Sequence, residues 1–364
     1  MSELLIKNGM VYTYIYEGYH AIKQREADVF IKDGSIEEVA PDINRDCDTL
    51  DATDCLVLPG MVNVAANTFA SRITSGLICD WTRGEERIAP MLDMSAELMT
   101  EDEIKAIALT GLWETARSGA TAVIELSRSA GGKDKDHPLY YRSEPEVITE
   151  AVLKAGEELG LHVFSGCGDE DGNLLINEGG DRNRMVPTLS KACIKGSILA
   201  GSAVTCADLG CHFSGYPNIR AGAMMTMGTG ITSNCMIHEM STTARAVKTM
   251  SEDPFAYRAS DVFYSATVVG GRELDENKYG RLGPGFYGNI SVVDMKRFKP
   301  LSYPLNQYIY GATAEDVIHV ICEGEPIKRV GNPSEKINKL LPEAYEISES
   351  AITRLWEEAR KTII

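Results

Sequence analysis

Leu58-Pro59-Gly60-Met61-Val62-Asn63-Val64-Ala65-Ala66-Asn67 divides the chain into two textures. Before it, Cys55-Leu56-Val57-Leu58 reads as a short strand. That strand stops at Pro59-Gly60, because proline donates no ladder hydrogen bond and glycine tolerates a turn. After it, from Met61 onward, short apolar runs alternate with longer stretches of helical period.

Upstream of the divide the sequence reads as strands and turns. Leu4-Leu5-Ile6 is followed by Asn8-Gly9, a turn signal, and then by Val11–Tyr16. Ala27–Ile31 runs through Lys32-Asp33-Gly34 into Ser35–Val39, a hairpin. Tyr12, Tyr14 and Tyr16 recur with period two and line one face of a strand.

Downstream, Thr100–Ser118 is predicted to be a helix. Thr100 can cap it, Glu103 stands three residues later as capping-box partner, and Gly119 follows its end. Ala120–Leu126 is a buried strand, Pro145–Leu159 a helix, and Leu161–Phe164 the next strand. This rhythm implies parallel strands joined by crossover helices. Residues 165–184 interrupt it with a long polar loop. Regular structure resumes near Pro187–Leu199, Ala203–Cys206, Ala223–Met227 and a helix around Met236–Met250. Two late strands, Asn289–Asp294 and Val317–Glu323, precede a helical tail over Pro333–Ile364. Strands at both ends of the chain suggest one β-module assembled from the two termini.

Bulk properties exclude several classes. A net charge of -17 opposes nucleic acid or an anionic membrane as partner, since neutralising phosphates needs clustered Lys and Arg. No apolar run approaches the roughly 20 residues that span a bilayer, and the opening residues lack the apolar core of a signal peptide. Nine cysteines without a C-x-x-C pair suit reduced thiols, so a cytoplasmic location is expected.

The order of motifs resembles the amidohydrolase superfamily, in its aminohydrolase, deaminase and chlorohydrolase branch. The resemblance rests on Leu5-Ile6-Lys7-Asn8-Gly9, Asp28–Ile36, Leu58-Pro59-Gly60-Met61-Val62-Asn63, Leu112–Thr121, Ala266–Arg272, Gly280–Gly285, Asn289–Asp294 and Val317–Gly324. Many motifs in the right order are more specific than any one of them. The resemblance implies an α/β fold: a (β/α) TIM-like barrel with its site at the strand ends, and a small β-sandwich built from both termini. The expected division is 1–58 and 281–330 for the sandwich, 59–280 for the barrel-like domain, and 331–364 for the helical tail. About 60 residues separate the third strand from the last, so the barrel is expected to be shortened or distorted.

The resemblance also implies a metal that activates water, held first by a His-x-His pair at the end of the first barrel strand. Here those positions are Ala65 and Asn67, and Gly230 stands where an Asp of a Gly-Thr-Asp motif belongs. A methyl cannot ligate, and a neutral amide is a poor ligand for a transition metal. The chain is therefore expected to be a divergent member without the standard ligands, with no metal and no cofactor. Three candidate catalytic residues remain: Cys206, His212 and His238. They read as a re-sited thiolate–imidazole zinc site, as a cysteine nucleophile with a histidine base, or as small buried packing groups. Asn67, Arg72, Asp208 and Thr229 are the candidate substrate pocket.

Two functional expectations follow. The first is a non-hydrolytic, pseudoenzyme-like subunit that homo-oligomerises or pairs with another chain to cover exposed strand edges. The second is a metal-independent or re-sited hydrolase acting on C–N bonds of a small cyclic amide, an amidine or an aminated heterocycle. A small-molecule ligand is compatible with both.

Overall fold

In the computed structural model, residues 2–14, 22–76, 88–126, 146–168, 174–178, 197–198, 202–208 and 224–362 are described. Strands from the two ends of the chain share one sheet. It contains β1 (Glu3–Tyr14), β2 (Ile22–Lys32), β3 (Ser35–Ala40), β4 (Asp48–Asp51) and β5 (Cys55–Pro59), together with β12 (Ile290–Asp294), β13 (Val317–Cys322), β14 (Glu325–Arg329) and β15 (Asn332–Pro333). The join is β5, which lies parallel to β1 and antiparallel to β12, pairing Val57 with Val292. Leu56, Val57 and Leu58 are all buried. An unbroken apolar run suits a strand covered on both faces.

The Asp33-Gly34 turn forms as expected, with Lys32 opposite Ser35. The Asn8-Gly9 expectation is corrected, because β1 continues through it. Asn8 takes a φ of 63°, its N–H donates to Asp28 Oδ1 at 2.8 Å, and the register against β2 shifts between Ile6 and Gly9. The extra residue is absorbed as a bulge, which twists the strand without turning it back.

The second sheet begins immediately after the divide. Strands β6 (Met61–Ala66), β7 (Ala120–Leu126) and β8 (His162–Gly168) run parallel, and β9 (Leu174–Glu178) lies antiparallel to β8. On the other side of β6, the segment following β11 (Met224–Met225) runs parallel to it. Val64 N–H donates to Met227 O at 3.0 Å and Gly230 N–H to Ala65 O at 2.8 Å. Strand β10 (Ser197–Ile198) pairs in parallel with β11.

Ten α-helices flank the sheets. They are α1 (Thr68–Ile73), α2 (Ile88–Leu98), α3 (Glu101–Arg117), α4 (Glu146–Leu159), α5 (Ala203–Asp208), α6 (Met236–Ser251), α7 (Ala259–Tyr264), α8 (Gly270–Asp275), α9 (Pro304–Gly311) and α10 (Glu335–Thr362), ten among the described residues. Helix α3 carries the predicted capping box between Thr100 and Glu103, and Ser118 closes it. A π-helical turn, Ser265–Val269, connects α7 to α8. The tail helix α10 buries Ile337, Leu341, Ala344, Ser348, Ala351, Leu355 and Ala359. Their spacing of three and four residues makes one stripe. From the same helix, Trp356 Nε1 donates to Ile73 O at 2.9 Å, steadying the end of α1. The tyrosine stripe is buried at Tyr12 and Tyr14, and the Tyr14 hydroxyl donates to Ser260 O on α7; Tyr16 lies outside the described residues. No described helix is long and apolar enough to cross a membrane.

Candidate functional site

The C-terminal end of β6 lies between β7 on one side and the turn at residues 228–231 on the other. Alternation along β6 places Asn63, Ala65 and Asn67 at successive same-side positions. Asn63 and Thr229 form a closed pair: Asn63 Nδ2 donates to Thr229 Oγ1 at 2.9 Å, and Thr229 N–H donates back to Asn63 Oδ1 at 3.1 Å. Both side chains are fully buried. Asn67 is the N-cap residue of α1 but makes no side-chain cap bond, so its amide is not committed to the helix.

Glu125 is the one acid in β7, and it stands opposite Ala66. Its carboxyl accepts from Thr68 N–H at 2.7 Å and from Thr68 Oγ1 at 2.9 Å, while Phe69 N–H also supports it. Burial pushes its pKa up to about 7, against the pull of these donors. A carboxyl near that value can both take and give a proton at neutrality.

A second buried carboxyl supports the turn from behind. Glu239 on α6 accepts from Ser202 Oγ at 2.7 Å, Ala203 N–H at 2.6 Å, Val204 N–H at 3.3 Å and Thr243 Oγ1 at 3.1 Å. Burial raises it, too, to about 7. Ser202 Oγ accepts from Thr205 N–H, and Thr205 Oγ1 accepts from Ile231 N–H at 3.3 Å. A path of hydrogen bonds thus runs from α6 to the turn that holds Thr229. Ser71 Oγ donates to Asn234 Oδ1 at 2.9 Å and ties α1 to the same loop.

The residues predicted from sequence scatter around this centre. Asn67 and Thr229 lie at it. Arg72 sits in the last turn of α1, and its Cγ is 3.2 Å from where a Cβ on Gly111 of α3 would stand. Asp208 is exposed at the end of α5, and His238 is exposed in the first turn of α6. Cys206 is on α5, its side chain beyond description, and His212 lies outside the described residues. Cys235 is the N-cap residue of α6, and burial pushes its thiol up, away from the thiolate a nucleophile needs. Asn63, Glu125 and Glu239 were not singled out from sequence. A signal existed for both acids: Glu125 is the lone charge in an apolar strand, and Glu239 falls within the buried stripe Met236, Met240, Thr243 and Val247.

No known protein-family profile matches the chain. It is similar to a 5'-deoxyadenosine deaminase of Methanothermobacter thermautotrophicus, 32% identical over 141 residues, covering 37% of this chain and only 33% of that protein. It is also similar to a 5-methylthioadenosine/S-adenosylhomocysteine deaminase of Thermococcus onnurineus, 25% identical over 88% of this chain and 93% of that protein. Among solved structures, an adenosine deaminase from Xanthomonas campestris with bound zinc superposes with a TM-score of 0.67 at 17% identity, covering 97% of this chain and 99% of that one. An atrazine chlorohydrolase from Arthrobacter aurescens TC1 complexed with zinc gives 0.71 at 13% identity, covering 95% and 100%.

The fold is α/β, of the TIM-barrel type shared by these hydrolases. The resemblance to the amidohydrolase superfamily stands: the relatives of this chain are named deaminases, and its structural neighbours are deaminases and hydrolases of that fold. The expectation of a non-catalytic subunit is corrected by the same comparison. Relatives that span most of the chain are named deaminases, which points to a catalytic protein. Ala65, Asn67 and Gly230 remove one way of activating water and do not by themselves exclude turnover.

Zinc in the solved neighbours calls for a test of fit. A zinc site takes Cys, His, Asp or Glu donors in a tetrahedral shell. At this strand end Ala65 offers a methyl, Asn67 a neutral amide and Gly230 nothing. Among the described residues no three His, Cys, Asp or Glu side chains are grouped to hold a metal. These residues do not fit zinc.

Proposed function

We propose that the chain is a hydrolytic deaminase, removing the exocyclic amino group of a 6-aminopurine nucleoside or a similar aminated heterocycle. One observation carries this reading: five relatives named 5-methylthioadenosine/S-adenosylhomocysteine deaminase align with 76% to 90% of the chain. The site is the strand end built by Asn63, Asn67, Glu125 and Thr229. In the reaction, water adds to the ring carbon bearing the amino group, and ammonia then departs. One proton must move from the attacking water to the leaving nitrogen. Glu125, poised near neutrality, takes that proton as the C–O bond forms and returns it as the C–N bond breaks. Asn67 offers its amide to the heterocycle's ring nitrogens.

The scaffold of this reading is a shortened barrel beside a β-sandwich. The alignment with the Thermococcus enzyme runs over 406 positions yet uses 88% of a 364-residue chain, so about 85 of those positions are gaps on this side. Whole β/α units account for a gap of that size. The reading is tested by incubating the purified chain with adenosine, 5'-deoxyadenosine and 5-methylthioadenosine while following ammonia and the ultraviolet shift from adenine to hypoxanthine. No ammonia above buffer from any of the three would sink it.

A further inference from the structure

We infer that the end of β6 is closed by direct packing against residues 227–230, and that no metal ion is seated between them. This concerns the metal alone and stands whether or not the activity proposed above is found.

Three observations support the closure. First, the two backbones touch at Gly228. A Cβ there would lie 2.5 Å from both the nitrogen and the Cβ of Ala65, and 2.7 Å from its Cα. Even alanine does not fit at that distance without moving β6. Second, Gly230 has a φ of 64°, a left-handed conformation that side-chain-bearing residues adopt at a cost. A Cβ on it would stand 2.3 Å from Thr205 Oγ1 and 2.7 Å from Ser202 Cβ. An aspartate at 230 would have to displace Thr205, which is itself bonded to Ile231 N–H. Third, apart from the neutral amide of Asn67, a poor zinc ligand, the polar groups at this point are already bonded. Asn63 and Thr229 satisfy one another reciprocally, and Glu125 is held by Thr68. A metal at this point would need three or more donors about 2.0–2.2 Å away, converging on one empty position. Here the groups are a methyl, two glycines, the bonded amide of Asn63 and the neutral amide of Asn67.

The test is metal analysis of the purified full chain after equilibration with zinc and desalting. Asn67→Ala and Glu125→Gln variants are measured alongside, each checked for folding by circular dichroism. The inference expects the native chain to hold far less than one zinc per chain. Zinc that stays bound unchanged in both variants has the same meaning, because its ligands then lie elsewhere. Nearly one zinc per chain that falls to background in either folded variant would overturn it. A Gly230→Asp variant adds an independent readout. Closure expects it to lose thermal stability and gain no zinc, whereas zinc uptake with a rise in melting temperature contradicts closure.

Discussion

Glu125 and Glu239 are two solutions to one problem, and their difference separates chemistry from scaffold. Each is a buried carboxyl raised to about 7 by desolvation, and each receives backbone N–H groups at the start of a six-residue helix, α1 for Glu125 and α5 for Glu239. Short helices have unsatisfied N–H groups and little propensity of their own, so a buried acceptor from another element fixes their position. The partners differ. Glu239 accepts from Ser202, Ala203, Val204 and its own helix neighbour Thr243. Glu125 depends on Thr68 and the adjoining backbone, directly after Asn67, whose amide makes no cap bond. Glu239 is enclosed by its own support. Glu125 is bonded to the residue that follows Asn67, whose amide makes no bond to the helix start.

Glu239 is the more costly of the two to remove. Replacing it with alanine strands Ser202 Oγ, Ala203 N–H and Thr243 Oγ1 in a dry interior, and the expected loss is about 3 kcal/mol or more in urea unfolding. A loss under about 1 kcal/mol would mean that water reaches those donors and that Glu239 is no scaffold.

The next effect is a shared pH dependence. Both carboxyls have folded values near 7, above the 4.5 of the exposed group. Below about 4.5 folded and unfolded chains both hold these protons. Between that point and 7 the unfolded chain releases them first, so stability falls as pH rises, by on the order of 3 kcal/mol for each glutamate at most. Thermal melts from pH 5 to pH 8 should show the decline, and Glu125→Gln and Glu239→Gln should each flatten it. A wild-type profile that rises across this range would show that the donors outweigh burial and both groups are ionised throughout.

A smaller effect sharpens the contrast between the two supports. Thr229→Val removes the acceptor of Asn63 Nδ2 while keeping shape, at an expected cost of about 1 kcal/mol in chemical unfolding. No change would mean that the pair closing the strand end contributes no net stability.

Local chemistry made much of the scaffold legible. Thr100 and Glu103 announced the start of α3, and Asp33-Gly34 announced a hairpin, because cap and turn geometry depend on a few adjacent residues. Asn8-Gly9 carried the same kind of signal and misled. What decides between a turn and a bulge there is Asp28, twenty residues away, which receives Asn8 N–H. The site was less legible for a related reason. Cys206, His212 and His238 stand out in the sequence because their side-chain types suggest chemistry. Yet His238 faces solvent, and the acid one position later faces inward. Helical period alone distinguishes these two. Glu125 showed as a single charge in a buried strand, but its partner Thr68 lies 57 residues earlier and becomes visible only once β6 and β7 are paired.

Glu125 is the proposed carrier of the proton in a deamination at this strand end. That role is tested most directly by ammonia release from 5-methylthioadenosine across pH 5–9, comparing the native chain with Glu125→Gln and Glu239→Gln. Turnover by the native chain is expected to be governed by a group titrating near 7. Glu125→Gln should lose on the order of 100-fold in rate and lose that titration, while Glu239→Gln keeps both per folded molecule. Native turnover with an unchanged rate and pH profile in Glu125→Gln would contradict it.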